Sequence, residues 1–258
     1  MIAGCNQEWA KRLTSCTGPD TQQNKVRRME RKAQPPIERI QENLLARSER
    51  RLLTWICARM PGWVSPDLLT FIGMSGAFLV FAGYVASNLG GQWLWQANAG
   101  YVIQWFGDST DGSLARFRKI ERPRYGYFLD HSCDGLATTL VVVGIGLSPF
   151  VTLEVALVAL AGYLLLSIHA FLSVRVLGEL KLSYLNAGPT ELRFVLIGLT
   201  LAMIFLGTGP GIFGRINGFD LFVGGVGCLL IVLFVLQTWV TARRLARDEP
   251  SRNAEWHQ

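Results

Sequence analysis

Apolar residues along the chain gather into six blocks of roughly twenty, with the charged residues crowded between the blocks and at the two ends. The blocks run from Leu68 to Asn88, from Trp93 to Phe106 with helical patterning on to about Arg118, and from Gly126 to Pro149. Three more run from Val151 to about Val174, from Thr190 to Gly207 and from Phe219 to Val240. Each is near the ~20 residues that carry a helix across ~30 Å of hydrocarbon at ~1.5 Å per residue. Lipid offers no partner to exposed backbone N–H and C=O groups, so these blocks cross it as helices. The expected fold class is all-α, a polytopic membrane protein with six transmembrane helices. Pro149-Phe150 and Gly90-Gly91 predict short turns between antiparallel neighbours. Ser65-Pro66-Asp67 predicts the entry to the first span, with Ser65 as N-cap and Pro66 at the first helical position.

Ahead of the first span the pattern is different. Residues 1–34 are polar and mixed in charge, which predicts a flexible cytoplasmic tail, and residues 1–20 lack the apolar segment of a signal peptide. After Pro35-Pro36, the residues Ile37, Ile40, Leu44, Leu52, Ile56 and Met60 recur at helical spacing, with Arg39, Arg47, Arg50 and Arg51 on the remaining surface. Over 35–64 this predicts an amphipathic helix lying among the inner headgroups, with a cap packed on the cytoplasmic loops as the alternative. Residues 65–243 then form the six-helix domain and 244–258 a second cytoplasmic tail.

Composition strengthens the membrane reading. Half of the chain is hydrophobic and 17% is charged, against about 25% charged in soluble domains. Such a chain is neither disordered for most of its length nor an ordinary soluble enzyme. The net charge of +6 is unevenly placed. Twelve Lys and Arg precede the first span, five lie between the second and third, three around the connection from the fourth to the fifth, and four follow the sixth. Only Arg215 falls on the other side, so 24 of 25 share one face and both termini are expected in the cytoplasm. Basic residues beside spans face anionic lipid, which argues against nucleic acid as a partner. The five cysteines (5, 16, 57, 133 and 228) have no paired spacing and read as free cytoplasmic thiols.

The stretch from Gly107 to Gly135, GDSTDGSLARFRKIERPRYGYFLDHSCDG, carries the chemistry. Asp108, Asp111, Gly112 and Ala115 fall at i, i+3, i+4, i+7, one face of the second span. Gly126, Asp130 and Asp134 fall at i, i+4, i+8, one face of the third. Asp108 lies ~15 Å from the helix end at Arg118, and Asp134 ~12 Å in from Gly126. The two spans join on the cytoplasmic side, so all four Asp are expected at similar depth, in one cluster open to the cytoplasm. Four carboxylates at low dielectric cannot all stay ionised without counter-charge. Pairing with Arg116, Arg118, Arg122 and Arg124 is one solution. Divalent cations are the better one, and oxygen-only ligands favour Mg²⁺, Mn²⁺ or Ca²⁺ over zinc. Four Asp carry the charge for two ions, an arrangement suited to displacement at phosphorus. Gly112, Ala115 and Gly126 leave room beside them for a diphosphate.

The pattern Asp108-x2-Asp111-Gly112-x2-Ala115-Arg116-x9-Gly126-x3-Asp130-x3-Asp134 resembles the complete signature of the CDP-alcohol phosphotransferase (CDP-alcohol phosphatidyltransferase) family. The resemblance extends over about residues 60–243, and Asp67 departs from it, many members having Asn there. It implies that Asp108, Asp111, Asp130 and Asp134 ligate two divalent ions, Mg²⁺ or Mn²⁺. It also implies that Asp134 doubles as the base for the acceptor hydroxyl, and that Gly112, Ala115, Arg116 and Gly126 contact the cytidine nucleotide, Arg116 near its phosphates. The implied activity is transfer of a phosphoalcohol unit from a CDP-alcohol to another alcohol, releasing CMP, by an integral membrane homodimer.

The donor is open between two types. Family members of one kind use CDP-diacylglycerol with a water-soluble alcohol. Asp130-His131-Ser132-Cys133-Asp134 and Pro189-Thr190-Glu191 instead look like the choline and ethanolamine phosphotransferases, whose acceptor is diacylglycerol. His131 and Glu191 are candidates to share the base role, with a helix-surface histidine and a helix-dipole carboxylate as the bland readings. Arg175, Lys181 and Arg193 ring the inner helix ends, as anion contacts or as snorkelling residues. Trp93 and Trp95 toward the outer face, and Trp239 toward the inner, read as interfacial anchors. Gly73 with Ala77, and Gly224 with Cys228, form small-residue faces for a dimer or for packing within the chain. An ion-coupled transporter is the non-enzyme alternative. It predicts acids near the bilayer midplane and an internal repeat, and it leaves the Gly112-Ala115-Arg116 element unexplained.

Overall fold

The computed structural model describes residues 46–177, 189–208 and 216–248. The tail over 1–34, the first part of the expected interfacial helix, Cys5, Cys16, Lys181 and Arg215 lie outside the described residues. Those that are described are helical wherever they are regular: α1 (Ala46–Arg59), α2 (Pro66–Ala86), α3 (Leu94–Phe117), α4 (Pro123–Gly146), α5 (Leu153–Leu177), α6 (Pro189–Leu206) and α7 (Gly218–Asp248). Two single 3₁₀ turns, Ser87–Leu89 and Gly91–Trp93, make the tight connection expected at Gly90-Gly91.

Local chemistry sets the boundaries. Ser65 Oγ accepts from the Leu68 amide at 3.2 Å, capping α2 with Pro66 inside its first turn as expected. At the end of α3, Ile120 N–H donates to Ala115 O at 3.0 Å and Lys119 N–H to Arg116 O at 3.1 Å. This closure puts Lys119 at φ 57°, a left-handed position more often taken by glycine.

The most extensive pairing is between α2 and α3, and glycines allow it. A Cβ on Gly76 would stand 2.8 Å from Gly100 O, one on Gly83 2.6 Å from Ala97 N, and one on Gly107 2.5 Å from Gly73 Cα. Gly73 and the buried Ala77 are therefore used within the chain. The second seam, between α5 and α7, is built on Gly162 and Gly227. The expected Gly224–Cys228 face is not its centre: Gly224 meets only Val155 Cγ1, at 3.2 Å, and Cys228 is exposed. Several polar side chains in the core pair with one another. Tyr84 Oη lies 2.7 Å from Thr200 Oγ1 and 3.2 Å from Tyr101 Oη, linking α2, α3 and α6. At the end far from the acids, buried Asp220 accepts from Thr152 N at 2.7 Å and Asn217 N at 3.0 Å. Asn217 donates in turn to Phe150 O at 2.7 Å, and the start of α7 is pinned to the α4–α5 turn.

Four helical segments are long and apolar enough to cross a bilayer: Pro66–Leu89, Pro123–Gly146, Leu153–Leu177 and Gly218–Arg247. Many large apolar side chains on them are exposed, among them Phe71, Phe78, Phe128, Val232 and Leu236. A belt of this kind is stable against lipid and not against water. The protein is a multi-pass, all-helical membrane protein. The other two expected spans are helices as well: α3 is made more polar by Asp108, Asp111 and Arg116, and α6 is 18 residues long with Glu191 and Arg193 near its start.

α1 packs on α3. Its buried stripe is Leu53 and Cys57, and Leu52, on the face expected among the headgroups, is 45% exposed beside Trp55 at 55%. α1 therefore has two apolar sides, one against the bundle and one outward. Arg59 stacks on the outward Trp55 ring at 4.1 Å. Burial pushes the Cys57 thiol up, offset in part by Arg116 and then Arg118.

Candidate metal centre and active site

α2 packs on both α3 and α4, while these two acid-bearing helices hardly touch along their backbones among the described residues. Their facing sides are thus held apart on a common support. Across that gap Asp108, Asp130 and Asp134 each offer a carboxylate oxygen, and the three oxygens lie within 4.8 Å of one another. The helical spacing read from the sequence brings these three together. Asp111 is turned toward α2: its Oδ2 accepts from Thr70 Oγ1 at 2.6 Å and its Oδ1 from the Gly112 amide at 2.5 Å.

Counter-charge comes from an unexpected place. None of the arginines nearby in sequence supplies the ion pair to Asp108; Arg193 of α6 does, with Nη2 donating to Asp108 Oδ2. Arg118 is committed elsewhere. Its guanidinium donates to Val64 O at 2.5 Å, Pro61 O at 2.8 Å, Met60 O at 3.2 Å and Gly62 O at 3.4 Å, gripping the α1–α2 connection. Arg122 lies over the Tyr125 ring at 5.3 Å. One guanidinium against three clustered carboxylates leaves net negative charge, and the donor set is hard oxygen throughout. That set fits a divalent cation of the Mg²⁺, Mn²⁺ or Ca²⁺ type.

The expected nucleotide residues line the same region. Arg116 is exposed, donates to Ser113 Oγ at 3.2 Å, and lies over Gly112, where a Cβ would meet its Nη1 at 3.4 Å. Gly126 is exposed with nothing within 4 Å of a Cβ position, so the start of α4 is open to approach. Ala115 is half-buried on the same face as Asp108 and Asp111. A small cavity runs inward from Asp108 and Asp134 between α2, α3 and α4, past Thr70, Gln104 and Cys133. His131 is held between Tyr127 and Phe171, at ring-centroid distances of 4.2 Å and 5.1 Å, with Nδ1 3.3 Å from Asp130 Oδ2.

A family model, CDP-alcohol phosphatidyltransferase, matches residues 63–242, which include every helix from α2 to α6 and all four Asp. The chain belongs to the CDP-alcohol phosphatidyltransferase family. Individual relatives are distant. Cholinephosphotransferase 1 of Danio rerio is 29% identical over 122 residues, 42% of this chain and 32% of that protein. Cholinephosphotransferase 1 of Mus musculus is 26% identical over 150 residues, 56% of this chain and 37% of that protein. Phosphatidylinositol phosphate synthase of Cutibacterium acnes is 35% identical over 85 residues, 33% of this chain and 38% of that protein. The aligned part of this chain thus spans about a third of the length of these curated relatives.

Within the family frame, sequence reasoning missed the placement of two residues. In the sequence Arg193 looks like Arg175 and Lys181, a basic residue at a helix end, and its pairing across 85 positions brings it to the cluster. Glu49 of α1 carried no signal at all. It accepts from Trp105 Nε1 at 3.1 Å and from Thr190 Oγ1 at 3.0 Å, Thr190 being part of the Pro189-Thr190-Glu191 run.

Proposed function

We propose that this chain transfers a phosphoalcohol group from a CDP-alcohol to the hydroxyl of a second alcohol, with release of CMP. The reading is carried by the approach of Asp108, Asp130 and Asp134 within 4.8 Å on two separate helices, inside the stretch that matches the family. Asp108, Asp111, Asp130 and Asp134 would hold two divalent ions, Mg²⁺ or Mn²⁺, which when bound supply Lewis-acid neutralisation of diphosphate oxygens. Gly112, Ala115, Arg116 and Gly126 take the nucleotide: the small residues admit the diphosphate, and Arg116 meets its charge. Asp134 removes the acceptor proton as the acceptor oxygen bonds to the β-phosphorus. The bond from that phosphorus to the bridging oxygen breaks, and CMP leaves with the electron pair. The protein supplies position and fixed charge rather than a covalent intermediate.

α3 and α6, packed among the four apolar helices, complete six spans in this reading. The 24 basic residues on one face support cytoplasmic termini and a cytoplasmic site. The outward Leu52, Trp55 and Arg59 support α1 as an interfacial helix, and the homodimer is carried over from the family. CDP-diacylglycerol is the donor in the first reading. Transfer of phosphocholine or phosphoethanolamine to diacylglycerol is the second, favoured by the Asp-His-Ser-Cys-Asp run at 130–134 and by the cholinephosphotransferase relatives.

The test is CMP release by the purified protein from CDP-diacylglycerol, CDP-choline and CDP-ethanolamine, with Mn²⁺ or Mg²⁺. One donor is expected to work, EDTA to abolish turnover, and Asp134→Asn to lower it by about 10²–10⁴-fold with the helices intact. Near-normal turnover in Asp134→Asn would sink the base assignment. Silence with every donor would sink the reaction.

A further inference from the structure

Glu49 stands on α1, upstream of the stretch that matches the family, yet its carboxylate joins two helices of the bundle. On α3 it accepts from Trp105 Nε1 at 3.1 Å and Ser109 Oγ at 3.4 Å; on α6, Thr190 Oγ1 donates to Oε1 at 3.0 Å and lies 3.2 Å from Oε2. Trp105 and Ser109 are one helical turn apart and bracket Asp108. Thr190 is one turn ahead of Arg193. The bridge through Glu49 therefore crosses from α3 to α6 at the level where Arg193 meets Asp108. Beyond Arg193 on α6, the next described side-chain link into the α2–α3 pair is Thr200, ~10 Å further at helical rise. These three donors are uncharged and fan around a half-buried carboxylate, a geometry that fixes the anion in one place.

The geometry points to Glu49 as a positioning residue for the acidic centre: by holding α6 against α3 it delivers Arg193 to Asp108. The consequence concerns cation binding. A guanidinium on Asp108 competes with a divalent ion for the same oxygen, so the firmness of the Arg193 contact sets how strongly the cluster attracts metal. Loss of Glu49 frees the first turn of α6, weakens that contact and leaves the cluster more negative. The inference rests on the metal-dependent reading of the site, and metal binding can be measured without turnover.

The experiment is Mn²⁺ titration of the purified full chain, following free Mn²⁺ by electron paramagnetic resonance, in Glu49→Ala, Arg193→Gln and the double variant. Removing the Glu49 charge also weakens cation binding at long range, and the cycle subtracts that because it acts in both backgrounds. The expected coupling is ~fivefold in Mn²⁺ affinity, as for a half-buried ion pair. Glu49→Ala tightens binding where Arg193 is present, relative to its effect in the Arg193→Gln background. Equal effects in both backgrounds would overturn the proposal. Should Glu49→Ala fail to fold, Thr190→Val removes only the α6 arm and keeps both charges; it is expected to tighten Mn²⁺ binding, and unchanged or weaker binding overturns the proposal equally. Coupling without CMP release from any donor would overturn the proposed reaction and leave the role of Glu49 standing; turnover without coupling would do the reverse. A wild-type protein that binds no Mn²⁺ would overturn both.

Discussion

Gly107→Ala places one methyl group at the tightest point between the support helix and an acid-bearing helix. Its Cβ would stand 2.5 Å from Leu69 O and 2.5 Å from Gly73 Cα, both backbone atoms that have no rotamer by which to yield. Ordinary carbon contacts are ~3.5–4.0 Å, so α2 and α3 must part by about 1 Å. Such overpacking costs about 1–3 kcal/mol, set against the ~1 kcal/mol that Ala contributes over Gly inside a helix. The net expectation is a loss of up to about 2 kcal/mol, read as a lower unfolding temperature in detergent. The effect on function is larger, because the next residue is Asp108. Moving it ~1 Å against Asp130 and Asp134 is expected to lower metal-dependent CMP release about 10²-fold. Gly198→Ala is the control: nothing lies within 4 Å of its Cβ, so it keeps the propensity gain without the clash. If Gly107→Ala unfolds no earlier than Gly198→Ala and turns over within about twofold of wild type, the seam does not set the site and the reasoning fails.

Tyr84→Phe removes the hydroxyl shared by Thr200 and Tyr101, leaving Tyr101 without that partner and Thr200 with Leu196 O; it is expected to cost about 1–3 kcal/mol in thermal unfolding. Tyr101→Phe, which removes only the end of that chain, should cost less. Lys119→Gly relieves a side chain held at φ 57° in the turn joining the acid-bearing helices, and is expected to stabilise by about 1 kcal/mol with CMP release unaltered. A lower unfolding temperature in that variant would contradict the strain assigned to the turn.

The acidic site was legible because helical periodicity is a local rule: i, i+3 and i+4 spacings place Asp108 with Asp111, and Asp130 with Asp134, whatever surrounds them. The hairpin connection then limits how far apart the two pairs can be. Asp111 shows where that rule stops, since its contact to Thr70 depends on α2, 41 positions away. Arg193 and Glu49 were illegible for the same reason: a polar residue near a helix end reads alike whether it faces headgroups or a partner 85 or 141 positions away. The helices themselves were readable from apolar length alone. The burial phase of α1 was not, because a stripe of Leu and Ile does not say which of two apolar sides meets protein. Small-residue seams behaved similarly. Several spans offer Gly or Ala at four-residue spacing, and only assembly selects Gly162–Gly227 over Gly224–Cys228.

The grip of Arg118 has a consequence for where the domain begins. The stretch shared by descent starts at residue 63, whereas the carbonyls held by this guanidinium start at Met60, and the acid that spans α3 and α6 sits a further three turns upstream. A fragment cut at the inherited border would keep every carboxylate of the site. It would also strip Arg118 of the Met60, Pro61 and Gly62 acceptors and leave its guanidinium only Val64 O beside the α3–α4 turn. A fragment that keeps these contacts has to begin at α1, upstream of the stretch that matches the family.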